Sequence, residues 1–303
     1  MKSVCDIVLL QLPVPDLSLL RAVADGKECT NIPLAAGYLA TAVLRAGLED
    51  RFRVRILSPQ RVDPLGDEAI VTEILRHEPG IVGFTCFLWN IERTLGIVRR
   101  LKRRRPGLIV LLGGPEITLD NEWIRSEACV DYFFVGEGEW AFVRFLESLT
   151  RRETPPRIWK PDARSVGLSV EGSPYLNGIL RAGPTTPLFL ETMRGCRYGC
   201  RFCYYPRGIT GQSYLSLPDV ERIVRRACRD QIREIILLDP SLNQRPDFPD
   251  FLRLFARMNR RSSISENTDS ERTRPFSLFG ELRAESVTPE IAGLLRDAGF
   301  PEV

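Results

Sequence analysis

The sequence has a single histidine, His77, and little net charge, +3 over 303 residues. The histidine shortage bears on metals. A structural zinc site normally takes four Cys/His ligands in paired spacings, and no second pair follows the one cysteine cluster here. A charge this small gives no argument for a nucleic-acid or lipid partner. Lysine is scarce too, confined to Lys2, Lys27, Lys102 and Lys160, so the basic residues are nearly all arginine, a bias without functional weight. Long apolar runs are also missing. The opening MKSVCDIVLLQLPVPD carries only a short apolar stretch before Pro13, too short for a signal-peptide core or a membrane span. A cytoplasmic, reducing compartment is the expectation, where cysteines are more often metal-binding or catalytic than paired.

What is present fits an ordinary globular chain, 44% hydrophobic and 27% charged, long enough for about two domains. Of its eight cysteines, Cys5, Cys29, Cys86, Cys129 and Cys228 are scattered singly and read as small buried apolar residues. The others stand together in RGCRYGCRFCYY, residues 194–205, as Cys196, Cys200 and Cys203. Thiolates spaced C-x3-C-x2-C on one loop suit three irons of a cubane cluster, leaving a fourth iron open.

This spacing, with Phe202 before the last cysteine, resembles the cluster loop of the radical S-adenosylmethionine enzymes. The resemblance implies a 4Fe-4S cluster whose open iron chelates the amino and carboxylate groups of S-adenosylmethionine. Reductive cleavage then yields a 5′-deoxyadenosyl radical, with the electron from an external donor.

The first 150 residues alternate strands and helices: strands at 6–12, 52–57, 81–85, 108–112 and 132–135. Helices are expected from Asn31, with Pro33 just inside, and over 67–77, 90–104 and 139–150, with a short one near Glu122. That pattern predicts an α/β fold with a doubly wound parallel sheet. Ligands bind such sheets beyond the carboxyl ends of the strands. The loops there are Leu12-Pro13-Val14-Pro15, TCFLWN (Thr85, Phe87, Leu88 and Trp89 among them), Gly113-Gly114-Pro115-Glu116 and Gly136-Glu137-Gly138-Glu139. With NIPLAAGYLA they resemble the cobalamin-binding domain that precedes the radical domain in one branch of that superfamily. In that branch these loops surround the corrin. The D-x-H-x-x-G motif of proteins that ligate cobalt through histidine is absent, and His77 in LRHEPG reads as a helix C-terminal residue. A degenerate domain that binds nothing is the alternative. The basic run RRLKRRRPG at 99–107 reads as a solvated helix end.

Residues 151–187 are proline-rich and read as a linker. From 188 a second domain is expected, with strands at 188–192, 234–238 and 277–282 and helices at 217–229, 248–260 and 288–299. Repeated β-α units predict a barrel with its site at the strand carboxyl ends. The resemblance makes it a partial barrel of six units, of which three are present, with 300–303 entering a fourth strand. It therefore implies a C-terminally truncated chain, inactive alone. By the same resemblance Phe202 and Tyr204 pack on adenine, and Asp239, Ser241, Asn243, Glu281 and Arg283 meet the amino-acid end of S-adenosylmethionine. A turn or salt-bridge role stays open for each polar one. The implied function is cobalamin-dependent radical methyl transfer to an unactivated carbon of a small molecule or peptide. Ring contraction or cyclisation, or a sensor without turnover, are the alternatives.

Overall fold

The computed structural model describes residues 4–13, 32–160, 167–205, 211–262 and 276–301. They fall into two compact units, within 4–160 and within 167–301. The helix start expected at Asn31, and Val14 and Pro15, lie outside the described residues.

In the first unit β1 (Cys5–Gln11) is buried along most of its length, as a central parallel strand must be. Pro33 stands at the N-cap position of α1 (Leu34–Arg45), rather than just inside the helix. Next come β2 (Phe52–Ile56), the short α2 (Pro59–Val62), α3 (Asp67–Arg76), β3 (Ile81–Thr85), α4 (Ile91–Arg104) and β4 (Ile109–Gly113). The short α5 (Glu122–Arg125), β5 (Tyr132–Phe134), α6 (Glu139–Thr150) and β6 (Ile158–Trp159) complete it. Among the described residues the six strands pair in the order β2-β1-β3-β4-β5-β6, all parallel. The order reverses between β1 and β3, so the switch point falls there.

Successive residues of β1 serve opposite layers, as strand alternation requires. Val8 and Leu10 pack with Ile70, Ile74, Leu95 and Val98 of α3 and α4. Ile7 and Leu9 pack with Ala36, Val43, Phe142 and Phe145 of α1 and α6. The basic end of α4 is ion-paired: Arg100 with Glu68 at 3.0 Å, Lys102 with Asp131 at 2.6 Å, and Arg99 with Glu127.

In the second unit β7 (Leu188–Leu190) leads into a small antiparallel pair, β8 (Met193–Arg194) and β9 (Ser213–Tyr214). Then follow α7 (Leu217–Arg229), β10 (Glu234–Leu237), α8 (Phe248–Ser262), β11 (Ser277–Phe279) and α9 (Pro289–Ala298). Ser216 caps α7 and Thr288 caps α9 through their hydroxyls, and Gly299, at φ 116°, closes α9 in the left-handed conformation. The parallel order β11-β10-β7 places each strand beside its sequence neighbour, the winding of a barrel. Leu278 N–H, on β11, donates to Gly299 O at 2.9 Å. One expectation needs correcting. β11 ends at Phe279, so Glu281 and Arg283 lie in the loop beyond it, where strand alternation no longer sets their direction.

Candidate functional site

The cysteine loop leaves the carboxyl end of β7 and starts on a buried carboxylate. Asp239, 2% exposed, accepts from Thr192 N at 2.7 Å, Met193 N at 3.0 Å and the Thr192 hydroxyl. Burial pushes its pKa up to about 6 against those hydrogen bonds. Both oxygens are thus engaged in holding the loop, and Asp239 points into the fold. Arg245, buried beside it, donates to Thr192 O at 3.0 Å and Leu215 O at 2.9 Å and pairs with Asp247 at 3.0 Å.

Gly195 then has to be glycine. Its φ is 85°, and a Cβ there would sit 2.0 Å from Gly211 O.

The three thiols that follow are partly buried and unpaired with one another. Two of them belong to one hydrogen-bonded ring. Gln244 Nε2 donates to Cys196 Sγ at 3.4 Å and to Ser241 O at 3.4 Å. Ser241 Oγ donates to Asn243 Oδ1 at 2.8 Å. Asn243 exchanges hydrogen bonds with the Arg283 backbone, at 2.7 and 3.1 Å. Arg283 Nη1 reaches Cys200 Sγ at 3.9 Å, its guanidinium 4.2 Å above the Tyr198 ring. The loops after β10 and β11 therefore both close on the cysteine loop. Ser241, Asn243 and Arg283, expected at this edge, are there; Glu281 is exposed and gives its backbone oxygen to Leu242 N at 2.9 Å. Phe202 is 92% exposed and Tyr204 37%. Gln244 and Arg245 were not singled out, though both continue the run LDPSLNQR.

Among the described residues no three Cys, His, Asp or Glu side chains converge as ligands of a single ion would. A cubane is larger than one ion, and its cysteines bind separate irons. Soft donors on one loop, two of them already facing hydrogen-bond donors, fit an iron–sulfur cluster. Burial pushes the thiols of Cys5, Cys86, Cys129 and Cys228 up, as for packing residues.

In the first unit the switch-point loops are tied by Asn90, 1% exposed. Its Nδ2 donates to Leu12 O and Thr85 O, each at 3.1 Å, and its Oδ1 accepts from Phe87 N at 2.8 Å. Leu12 and Pro13 are buried, so Leu12 serves here through its backbone oxygen. Cys86 N donates to Gly113 O at 2.7 Å and Glu116 N to Cys86 O at 3.2 Å, interlocking the loops after β3 and β4. A Cβ on Gly114, at φ 103°, would meet Cys86 O at 2.6 Å. Pro115 is exposed, and Gly136, at φ 75°, turns the chain into Glu137 and Gly138 ahead of α6. Leu88 is 78% exposed, and Trp89, 47% exposed, stacks on Phe87 with centroids 4.5 Å apart. A flat apolar wall over a backbone cradle fits a planar macrocycle. His77 ends α3 at the opposite edge, its Nε2 3.3 Å from Glu73. An open cavity of about 490 Å³ at the amino end of β5, lined by Ser126, Asp131, Tyr132 and Arg157, lies at that same far edge.

Residues 30–146 match the B12 binding domain and residues 190–303 the radical SAM superfamily. The chain joins a B12-binding domain to a radical SAM domain. It is 25% identical over 250 residues to the cobalamin-dependent radical SAM methyltransferase TokK of Streptomyces tokunonensis, covering 72% of this chain and 35% of that protein. It is 30% identical over 169 residues to the 2-(S-pantetheinyl)-carbapenam-3-carboxylate methyltransferase of Streptantibioticus cattleyicolor, covering 48% of this chain and 24% of that one. The structure of the radical S-adenosylmethionine methyltransferase TsrM from Kitasatospora setae, with cobalamin and a [4Fe-4S] cluster bound, superposes with a TM-score of 0.70. It is 18% identical and covers 98% of this chain and 60% of that one. The chain thus spans about a quarter to a third of these two curated relatives. The cofactors that go with its two domains are cobalamin, a 4Fe-4S cluster and S-adenosylmethionine. Among the described residues no helix is long and apolar enough to cross a membrane.

Proposed function

We propose that this chain serves cobalamin-dependent radical methyl transfer to an unactivated carbon. The observation that carries the reading is the hydrogen-bonded ring joining Cys196 and Cys200 to the loops after β10 and β11. It builds a cysteine loop at a strand-end site, in a chain that also carries a B12-binding domain. The names of two relatives, both methyltransferases, support the choice of reaction.

The cluster with S-adenosylmethionine supplies the 5′-deoxyadenosyl radical when bound, and cobalamin supplies the methyl group. Cys196, Cys200 and Cys203 hold the cluster. Phe202 and Tyr204 offer exposed rings to the adenine. Ser241, Asn243 and Arg283 surround the place for the amino-acid end, while Asp239 and Arg245 keep the loop in position from beneath. In the first unit Phe87, Leu88 and Trp89 exclude water from one face of the corrin. The backbones of Thr85, Gly113–Glu116 and Gly136–Gly138 would line its rim. His77, at the opposite edge of the sheet, would not be placed to ligate the cobalt.

Anaerobic reconstitution tests the reading. The chain should take up about four irons, with a visible absorption that dithionite bleaches, and should bind cobalamin in equilibrium dialysis. Replacing Cys196, Cys200 and Cys203 with alanine should abolish the iron and spare cobalamin binding. Iron retained in that variant would sink the cluster assignment; no cobalamin binding would sink the methyltransferase one.

A further inference from the structure

We propose that Gln244 is a positioning residue that ties the cysteine loop to the turn after β10 and, through Cys196, sets the potential of the iron–sulfur cluster. The inference rests on the radical SAM reading above and adds a residue and a property to it.

Gln244 is 4% exposed, and its amide uses its full capacity. An amide has one oxygen able to accept twice and one nitrogen able to donate twice. Oε1 accepts from Arg197 N at 2.9 Å and Gln212 Nε2 at 3.2 Å. Nε2 donates to Cys196 Sγ and Ser241 O. The orientation is fixed by chemistry, since the Arg197 N–H can only donate and must face the oxygen. The nitrogen is therefore aimed at sulfur. Its place is held in turn by the residue before it, because Asn243 is bonded to the Arg283 backbone and to Ser286 Oγ at 2.6 Å.

A buried N–H facing a ligand sulfur stabilises the more negative, reduced cluster, so it raises the reduction potential. The cluster takes its electron singly from an external low-potential donor, and a higher potential makes that transfer easier. Arg283 is a second donor, at 3.9 Å from Cys200, longer and at a more exposed guanidinium.

Two substitutions separate the arms of the amide. Gln244→Glu keeps an acceptor for the Arg197 N–H but puts a carboxylate where the donor faced sulfur. Gln244→Met fills the same space and removes both arms. The readouts are the midpoint potential of the reconstituted full chain, followed by electron paramagnetic resonance, and hydrogen exchange of the peptide covering residues 195–198. In Q244E the reduced fraction at fixed poise should fall about tenfold, ~59 mV for a one-electron couple, with exchange protection kept. In Q244M the potential should fall by less and protection should be lost. If Q244E loads no iron, Q244M decides. An unchanged potential with full iron content in the variants that load would overturn the inference and leave the radical SAM reading standing. A wild-type chain that takes up no cluster would overturn both.

Discussion

At the carboxyl edge of the six-stranded sheet one buried amide, Asn90, holds the loops after β1 and β3, and backbone bonds interlock the rest. At the edge of the three-stranded sheet the loops are held by charged and polar side chains, the buried Asp239, Arg245 and Gln244 and the half-buried Asn243. The difference follows from what each edge presents. Where backbone holds backbone, Leu88 and Trp89 are left facing outward, and an apolar wall needs nothing more. A loop carrying thiols has to meet sulfur with donors at set distances, and that takes side chains anchored from below. The second arrangement rests on buried charge, so it should be the more fragile and the more sensitive to pH.

The largest expected effect breaks the charged side of this comparison. Arg245→Met removes five hydrogen bonds from a buried guanidinium and leaves Thr192 O and Leu215 O without their donor. Each buried carbonyl oxygen left without its donor costs about 1–3 kcal/mol. Calorimetry should show the second unit melting earlier while the first is unmoved. A loss of less than about 1 kcal/mol, the range of exposed pairs, would mean that the network is ornamental.

Next comes the pH dependence. Burial raises Asp239 from its ordinary 3.8 to about 6 in the folded state. The folded chain then binds that proton more tightly than the unfolded one. The stability this contributes is fully present below about pH 3.8 and is lost as pH rises through about 6. The difference across that window is roughly 3 kcal/mol at 1.36 kcal/mol per unit. Thermal unfolding of the second unit, followed from pH 4 to 6 in wild type and Asp239→Asn, checks it. Wild type should lose stability relative to the variant as pH rises, and parallel curves would break the assignment.

A smaller effect sharpens the other side. Asn90→Ala removes three hydrogen bonds, at about 1 kcal/mol each, and the loss should fall on the first unit alone. Cobalamin affinity should fall with it, because the loops carrying the wall lose their tie. An intact affinity by dialysis would show that the backbone interlock suffices.

Much of the frame was legible in the sequence. β3, α6 and α7 fall at Ile81–Thr85, Glu139–Thr150 and Leu217–Arg229, where apolar periodicity, caps and prolines put them. The two-residue strands β6, β8 and β9 carry no period and could not be read. Position at a strand end was legible for Asp239 and Leu12; direction was not, and both turn inward. Arg245 reads as one more surface arginine, since only its partners make so complete a burial possible. Gln244 matters through an amide orientation that no spacing encodes.

The smallest expected effect is none at all, and it tests which edge of the first sheet binds the corrin. His77 is the chain's only histidine, hence the obvious candidate to ligate cobalt. It sits at the C-cap of α3, before β3 begins, at the edge opposite Phe87 and Trp89. Its Nε2 lies 3.3 Å from Glu73, which also pairs with Arg61 at 2.7 Å. Reaching the switch point would require the sheet to be crossed end to end. His77→Gln should therefore bind cobalamin as wild type does. Electron paramagnetic resonance of the Co(II) form should show no splitting from a protein nitrogen in either protein. A nitrogen splitting that vanishes in the variant would move the corrin to the amino-terminal edge and take the Leu88–Trp89 wall out of the site.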